Sequence, residues 1–162
     1  MFFREINNSS LNYNTQNSRI IKKIHDNINF DNMVLLSLED KSRRRLFSKF
    51  EILEEPIEDI HSLMYYSKLF MSDGDSMARE AAMLGTKSVY CGLRNMVANN
   101  ILKEKKLLNH INDFNILSDF ISNMLQSNSK EQKEEQSKIR KRLLLEWDDL
   151  NELIYKEIVG SK

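Results

Sequence analysis

The sequence predicts an α/β fold, a Rossmann-like parallel sheet with helices on both faces. Short, almost wholly apolar runs alternate along the chain with longer segments whose apolar residues recur at helical spacing. Such runs are typical of strands that helices cover on both faces. Only four glycines and one proline occur in 162 residues, which favours long helices over an all-β fold. Right-handed crossovers would then give a layer sandwich with one parallel sheet.

The first half of the chain contains three predicted strands. Their apolar runs are short, whereas the isoleucines between the first two recur at helical spacing. The predicted elements are a strand at Met1–Arg4, a polar loop at Asn7–Asn17, a helix at Ser18–Asn29, a strand at Asn32–Ser37, a charged helix at Glu39–Lys49 and a strand at Phe50–Leu53.

The second half begins at Pro56, which is predicted to open a helix at its first position, where the missing N–H costs nothing. This helix should run to about Ser67. The predicted elements that follow are a strand at Leu69–Met71, a helix from Ser76 to Gly85, a strand at Ser88–Cys91 and helices at Val97–Leu108 and Asn115–Leu125.

Two units are predicted: residues 1–126 as the Rossmann-like domain, and residues 127–162 as a charged segment with a C-terminal amphipathic helix. Ser127–Ser137 is rich in charge and is either a linker or a solvated helical turn. Ile139–Val159 is predicted as one long helix that packs on the domain or on a partner. Its apolar stripe comprises Ile139, Leu143, Trp147, Leu150, Ile154 and Ile158.

Composition restricts the possible functions. Lys plus Arg equal Asp plus Glu at 24 each, so the chain lacks the global positive field of a dedicated nucleic-acid binder. The single cysteine, Cys91, rules out an internal disulfide and a cysteine-based zinc cluster, and we interpret it as a small core residue. The three histidines are scattered, so no metal site and no cofactor are expected. Without a transmembrane-length apolar run or a signal-peptide pattern, we expect a cytoplasmic protein.

The segment Met71–Gly85 carries the first functional hypothesis. An apolar run leads into a turn of small and polar residues, and a helical segment follows that ends at a glycine. A strand, a tight turn and a helix present backbone N–H groups and a positive helix end to an anion. A phosphate-bearing ligand is one interpretation. The other is an ordinary turn whose Ser or Asp caps the helix.

The segment Gly74–Lys87 reads Gly-Asp-Ser-Met-Ala-Arg-Glu-Ala-Ala-Met-Leu-Gly-Thr-Lys. It is similar to the run Gly-Gly-Thr-Met-x-Arg-Glu-Ala-Ala-x-Leu-Gly-Thr-Pro that the uncharacterised DUF354 proteins carry. From Glu55 to Arg94 the chain resembles the C-terminal domain of the GT-B superfamily, and it is less similar to the UDP-N-acetylglucosamine 2-epimerases than to the DUF354 proteins. The resemblance covers roughly Met1–Met124, and its central segment is the specific part.

The resemblance implies a domain that binds a nucleotide sugar, a UDP-sugar, in a glycosyltransferase- or epimerase-like protein. The turn at Gly74–Ser76 would face the diphosphate, Glu80 would accept hydrogen bonds from ribose hydroxyls, and Arg4 would contact phosphate or sugar. The full set of implied ligand-binding residues is Arg4, Gly74, Asp75, Ser76, Met77, Arg79 and Glu80. No catalytic residue is implied.

Two departures bear on this hypothesis. Asp75 stands where the family usually has Gly, and its charge would repel a phosphate unless it turns away or a metal intervenes. The first residues already match the opening strand of a GT-B C-terminal domain, so an N-terminal domain is expected to be missing. Activity would then need a separately encoded partner domain, or self-association through the C-terminal helix. The alternative function is a non-catalytic remnant or a protein-interaction domain.

Overall fold

The computed structural model describes residues 1–7 and 19–160, and within them the chain forms one parallel sheet of six strands. The strands are β1 (Phe2–Glu5), β2 (Leu35–Leu38), β3 (Glu51–Ile52), β4 (Phe70–Ser72), β5 (Ser88–Tyr90) and β6 (Leu108–His110). Their order in the sheet is β3-β2-β1-β4-β5-β6. The chain therefore builds outwards from β1 in one direction and then, from β4 on, in the other.

Seven α-helices and one 3₁₀ helix accompany the strands within the described residues, and the last three α-helices come after β6. They are α1 (Ile20–Asn27), the 3₁₀ helix (Lys41–Leu46), α2 (Ile60–Tyr66), α3 (Asp75–Met83), α4 (Val97–Glu104), α5 (Phe114–Gln126), α6 (Ser129–Glu146) and α7 (Leu150–Val159). The predicted fold class, a Rossmann-like α/β sheet with helices on both faces and a long C-terminal helix, is confirmed.

Alternation along the strands separates two apolar layers. Phe3, in register with Leu36 and Met71, faces α1 and α5. Phe2 and Phe70 are also in register and face the opposite layer, which contains α2 and α3. Farther along that second face, Ala78 and Ala82 of α3 pack with residues of α4 and α6. Both faces of the sheet are thus buried, which explains the near-continuous apolar strands.

Three sequence predictions in the middle of the chain are wrong in their bounds. The helix expected from Pro56 begins only at Ile60, where the Asp59 carboxylate accepts the N–H of Ser62 at 2.9 Å. The charged helix at 39–49 is a short 3₁₀ helix with no buried residue, so no apolar stripe extends it. The helix predicted for 97–108 ends at Glu104, and Leu108, its last predicted residue, instead begins β6 beside β5.

The C-terminal segment differs from the single predicted helix. The charged stretch that follows Ser127 is helical and forms the first part of α6. Helix α6 ends before Trp147, and Asp149 caps the next helix, α7, by accepting the N–H of Asn151 at 2.8 Å. The predicted polar loop at 7–17 lies almost wholly outside the described residues. No helix in the described ranges is both long and apolar enough to cross a bilayer.

Candidate ligand-binding site

The order in which successive strands are added to the sheet reverses between β1 and β4. The segment 71–85, which the sequence analysis emphasised, lies at the carboxyl ends of these two strands. In open parallel α/β sheets such a switch point is the usual place for a ligand. Only Asp73 and Gly74 separate β4 from the first residue of α3. The amino end of α3, with its partial positive charge, therefore lies at the carboxyl edge of the sheet.

The cap of α3 is Gly74, with no side-chain capping bond, so the predicted Ser or Asp side-chain cap is wrong. A Cβ on Gly74 would stand 2.8 Å from Cγ2 of Ile6, directly after β1. The turn and the end of β1 are thus in close contact, and glycine is the residue that permits it. The N–H of Gly74 donates to Oγ of Ser72 at 2.9 Å, so this donor is used within the turn.

Asp75, the first residue of α3, is buried and faces two arginines. Its Oδ2 lies 3.3 Å from Nη1 of Arg79 and 3.7 Å from Nη1 of Arg94. Arg94 follows β5, and its N–H donates to the Tyr90 hydroxyl at 3.0 Å, which fixes its backbone beside β5. The Asp75 charge is therefore compensated by protein groups, an arrangement that the sequence did not predict. Two guanidinium groups against one carboxylate leave the cluster net positive.

Ser76 and Asn99 extend this cluster. Nη2 of Arg79 donates to Oγ of Ser76 at 3.3 Å, and Nη1 of Arg79 donates to Oδ1 of Asn99 at 3.0 Å. Asn99 is only 2% exposed, and its Nδ2 is buried without a hydrogen-bond partner. A buried polar group in this state is rare in folded proteins. We define the anion cluster as Asp75, Ser76, Arg79, Arg94 and Asn99.

A groove continues from the anion cluster along α3. It has a volume of about 750 Å³ and a mainly apolar lining. Glu80 lies in it, one turn after Ser76, and its Oε2 is 3.1 Å from Nε2 of His61. The lining residues are His61, Ser76, Arg79, Glu80, Met83, Leu84, Ala98, Ile101, Leu102 and Trp147. The groove is large enough for a drug-sized ligand and places one exposed carboxylate beside its apolar wall.

Two of the residues implied by the resemblance are engaged elsewhere. Arg4 donates to Glu55 at 2.5 Å and to Glu39 at 2.7 Å, and it also contacts Ser37. These partners come after β3 and from the end of β2, so Arg4 is the centre of a separate ion-pair cluster. The Met77 side chain packs on the Phe2 and Phe70 layer. The structure brings Gly74, Asp75, Ser76, Arg79 and Glu80 together along α3.

A second polar region lies at the carboxyl end of β1. Glu5 is buried and pairs with Arg43 of the 3₁₀ helix, and burial raises the pKa of Glu5 to about 7. Asp73 is 7% exposed, and burial likewise raises its pKa to about 7, although the N–H of Ile6 donates to it. The adjoining cavity of about 480 Å³ is lined by Ile6, Asn7, Arg19, Lys22, Asp40, Arg43 and Leu46.

The sequence did not predict that Arg94 and Asn99 lie beside Asp75 and Arg79. Arg94 had a usable signal, because a basic residue soon after β5 lies at the same sheet edge as α3. Asn99 had none, since asparagine within a helical segment is ordinarily a solvated residue.

A family model described as "Protein of unknown function (DUF354)" matches residues 5–161. None of the curated proteins matches the chain.

Proposed function

The chain belongs to the DUF354 family, and we propose that it binds a nucleotide sugar, a UDP-sugar, at the amino end of α3. The description of the family gives no ligand, so the proposal rests on the site and on the GT-B likeness of residues 55–94. One observation carries it: the amino end of α3 lies at the switch point of the sheet, beside the net-positive pair Arg79 and Arg94.

The ligand's diphosphate matches the anion cluster in charge. Charge-assisted hydrogen bonds from guanidinium groups to phosphate are among the strong polar contacts in proteins. The first turn of an α-helix adds N–H groups that lack a partner within the helix, and it adds the positive end of the dipole. Ser76 contributes a hydroxyl at the same turn. These groups support binding of an anion with several acceptor oxygens.

The nucleoside part of the ligand matches the groove beside the cluster. The Glu80 carboxylate offers two acceptor oxygens to vicinal ribose hydroxyls, and it lies one turn from Ser76. The apolar groove wall suits the flat face of a base or a sugar ring. His61 holds Glu80 through a contact of 3.1 Å and supports its orientation toward the groove.

A glycosyltransferase- or epimerase-like activity is a further step of the proposal. The cluster supplies donors and carboxylates that bind the ligand. We propose that the activity arises when an N-terminal GT-B domain lies against the carboxyl edge of the sheet. The amino end of α3 is at that edge, so the second domain would cover the bound ligand.

The proposal is tested by the melting temperature with UDP and with UDP-sugars at up to millimolar concentration. A ligand at 100 times its Kd stabilises the folded state by about 2.7 kcal/mol, which gives a shift of several degrees. Glu80→Ala should reduce the shift, whereas Glu134→Ala, an exposed glutamate of α6, should leave it unchanged. If no nucleotide changes the melting temperature, nucleotide-sugar binding is contradicted.

A second role, self-association, is favoured by one observation on α7. Every residue of this helix is exposed, including Leu150 and Ile158 at 67% and 70%. An exposed contiguous apolar face is typical of an interface. We propose that a second copy of the chain covers it. A two-fold axis at Ile154 would set Leu150 against Ile158 and Ile154 against its own copy, so the apolar positions of this face are self-complementary.

A further inference from the structure

We infer that Arg94 and Asn99 form, with Arg79, a phosphate subsite between α3 and α4, and that Asp75 is the residue that positions the two arginines. This inference rests on the proposed function and assigns to it two binding residues beyond those implied by the resemblance. The ligand chemistry is a phosphate or diphosphate group. The inference combines an unpartnered buried donor, two converging cations and a helix amino end.

The side chain of Asn99 contains a buried donor that lacks a partner. Its Oδ1 is fixed by the hydrogen bond from Arg79 at 3.0 Å, so its Nδ2 is the atom left without a partner. The opposite amide orientation would set an N–H donor against the guanidinium, so the observed one is chemically required. A buried amide donor without a partner is an unfavourable state in the ligand-free protein. An acceptor oxygen arriving between α3 and α4 relieves it.

Arg79 and Arg94 bring two positive charges to one carboxylate, that of Asp75, whose side chain is 3% exposed. The excess charge repels a metal cation and attracts an anion. A single carboxylate ligand offers two oxygens, whereas a phosphate offers three or more to guanidinium, amide and helix N–H donors at once. A phosphate therefore matches the number of donors better than a carboxylate does.

Asp75 belongs to the first turn of α3 and contacts both cations. Its Oδ2 lies 3.3 Å from Nη1 of Arg79 and 3.7 Å from Nη1 of Arg94. Arg79 comes from the same helix, but Arg94 comes from the loop after β5. Asp75 therefore joins two elements and holds both cations at the sheet edge before a ligand arrives. Its role is positioning, because it presents a negative charge that does not itself attract phosphate.

The test is calorimetric titration of the full chain with inorganic pyrophosphate and, separately, with UDP at low salt. Asn99→Asp keeps the oxygen that Arg79 contacts and replaces the donor by an acceptor. Arg94→Gln removes one cation. Each should raise the Kd for both ligands by about tenfold or more. Arg94→Lys should recover part of the affinity, since it restores the charge without the planar fork.

Two control variants match these changes. Asn100→Asp makes the same substitution one residue later at an exposed position of α4, and Arg44→Gln removes an exposed arginine that pairs with Glu54. Neither should change the Kd more than about twofold. Equal losses in Asn99→Asp and Asn100→Asp would overturn the inference, because general charge would explain both. Ligand-free melting temperatures show whether each variant is folded.

The two ligands separate this inference from the proposed function. If UDP binds and its Kd is unaffected by Asn99→Asp and Arg94→Gln, the subsite is overturned while nucleotide binding stands. If pyrophosphate binds with the expected losses but UDP binds no more tightly, the subsite stands and the nucleotide proposal fails. If neither ligand binds, both are overturned.

Discussion

The N–H of Ile6 donates to Oδ1 of Asp73 at 2.8 Å, which joins the end of β1 to the end of β4, the two strands between which the strand order reverses. Asp73 therefore helps to fix the turn that leads into α3, although it was not among the predicted binding residues. Because the carboxyl is buried, its protonation state affects the stability of this edge.

The pH dependence of stability follows from Asp73. Burial raises its pKa from 3.8 to about 7 in the folded protein. The folded state then binds the proton more tightly than the unfolded state, so the resulting stabilisation is complete below about pH 4 and is lost as the pH rises through about 7. The free energy of unfolding should fall between about pH 4 and pH 7, by at most about 1.4 kcal/mol per pH unit from this group.

Asp73→Asn keeps an oxygen for the Ile6 N–H and removes the ionisation. In urea unfolding across this pH range its stability should fall less steeply than that of the unmodified chain. Asp119→Asn, at an exposed position of α5, should retain the original slope. Identical slopes for Asp73→Asn and the unmodified chain would show that Asp73 is not the group responsible. Glu5, whose pKa is also raised to about 7, contributes in the same direction.

Gly74→Ala should destabilise the protein by about 1–3 kcal/mol through overpacking. The added Cβ would stand 2.8 Å from Cγ2 of Ile6, a branched side chain that cannot swing its methyl away. Chemical unfolding of Gly74→Ala, Ile6→Ala and the double variant measures the coupling between the two positions. The double variant should be more stable than the sum of the two losses predicts, and strict additivity would refute the steric account.

Gly85→Ala tests the other end of α3. Gly85 has φ +75, the left-handed conformation in which a Cβ is strained, and its Cβ would lie 2.8 Å from the backbone oxygen of Gln136 in α6. Strain and contact act together, so we expect a loss of about 2 kcal/mol or more in urea unfolding. A loss below about 0.5 kcal/mol would mean that α6 moves away from α3 at little cost.

The sequence was sufficient for the sheet and for the strand–turn–helix segment because both leave local patterns. Apolar runs gave five of the six strands, and glycine gave the end of α3. β6 was missed because its first residue, Leu108, continues the helical spacing of α4, and only its pairing with Ser88 of β5 shows that it belongs to a strand. The break at Trp147 was missed because the apolar spacing continues through it.

The candidate site was only partly predictable for a related reason. Residues of α3 are neighbours in the chain, so one motif suffices to group Ser76, Arg79 and Glu80. The ion pairs of Arg4 were not predicted because its partners, Glu39 and Glu55, are 35 and 51 residues away. The role of Asp75 depends on Arg94, which reaches it across the sheet edge. A single sequence indicates which residues follow each strand, but it does not indicate which of them pair.

Asp75→Gly discriminates between two accounts of this residue. In the first account, which the sequence alone suggests, the Asp75 charge repels phosphate. Removing that charge should then tighten phosphate binding, and the gain should be larger at low salt. With Asp75 between Arg79 and Arg94, we expect the opposite: the guanidinium groups lose their anchor, and the Kd for UDP rises by about threefold to tenfold, about 0.6–1.4 kcal/mol. Titrations at low and high salt measure the difference, and tighter binding at low salt would support direct repulsion.

The final prediction concerns α7 and self-association. If a second copy covers this helix, light scattering should find a dimer, and Ile154→Asp at the proposed two-fold axis should give a monomer. Leu145→Asp introduces the same charge at an apolar residue of α6 that is 88% exposed, and it should leave the dimer intact.

The charged residues of α7 provide a matched control for Ile154→Asp on the same helix. Glu152 and Lys156 are each two residues from Ile154, about 200° around the helix, so they lie on the side opposite the proposed contact. Glu152→Lys removes the Glu152–Lys156 pair within the helix and should leave the dimer intact, because neither residue faces the other copy. A monomer at all concentrations, or a dimer that is indifferent to Ile154→Asp, would contradict self-association through α7.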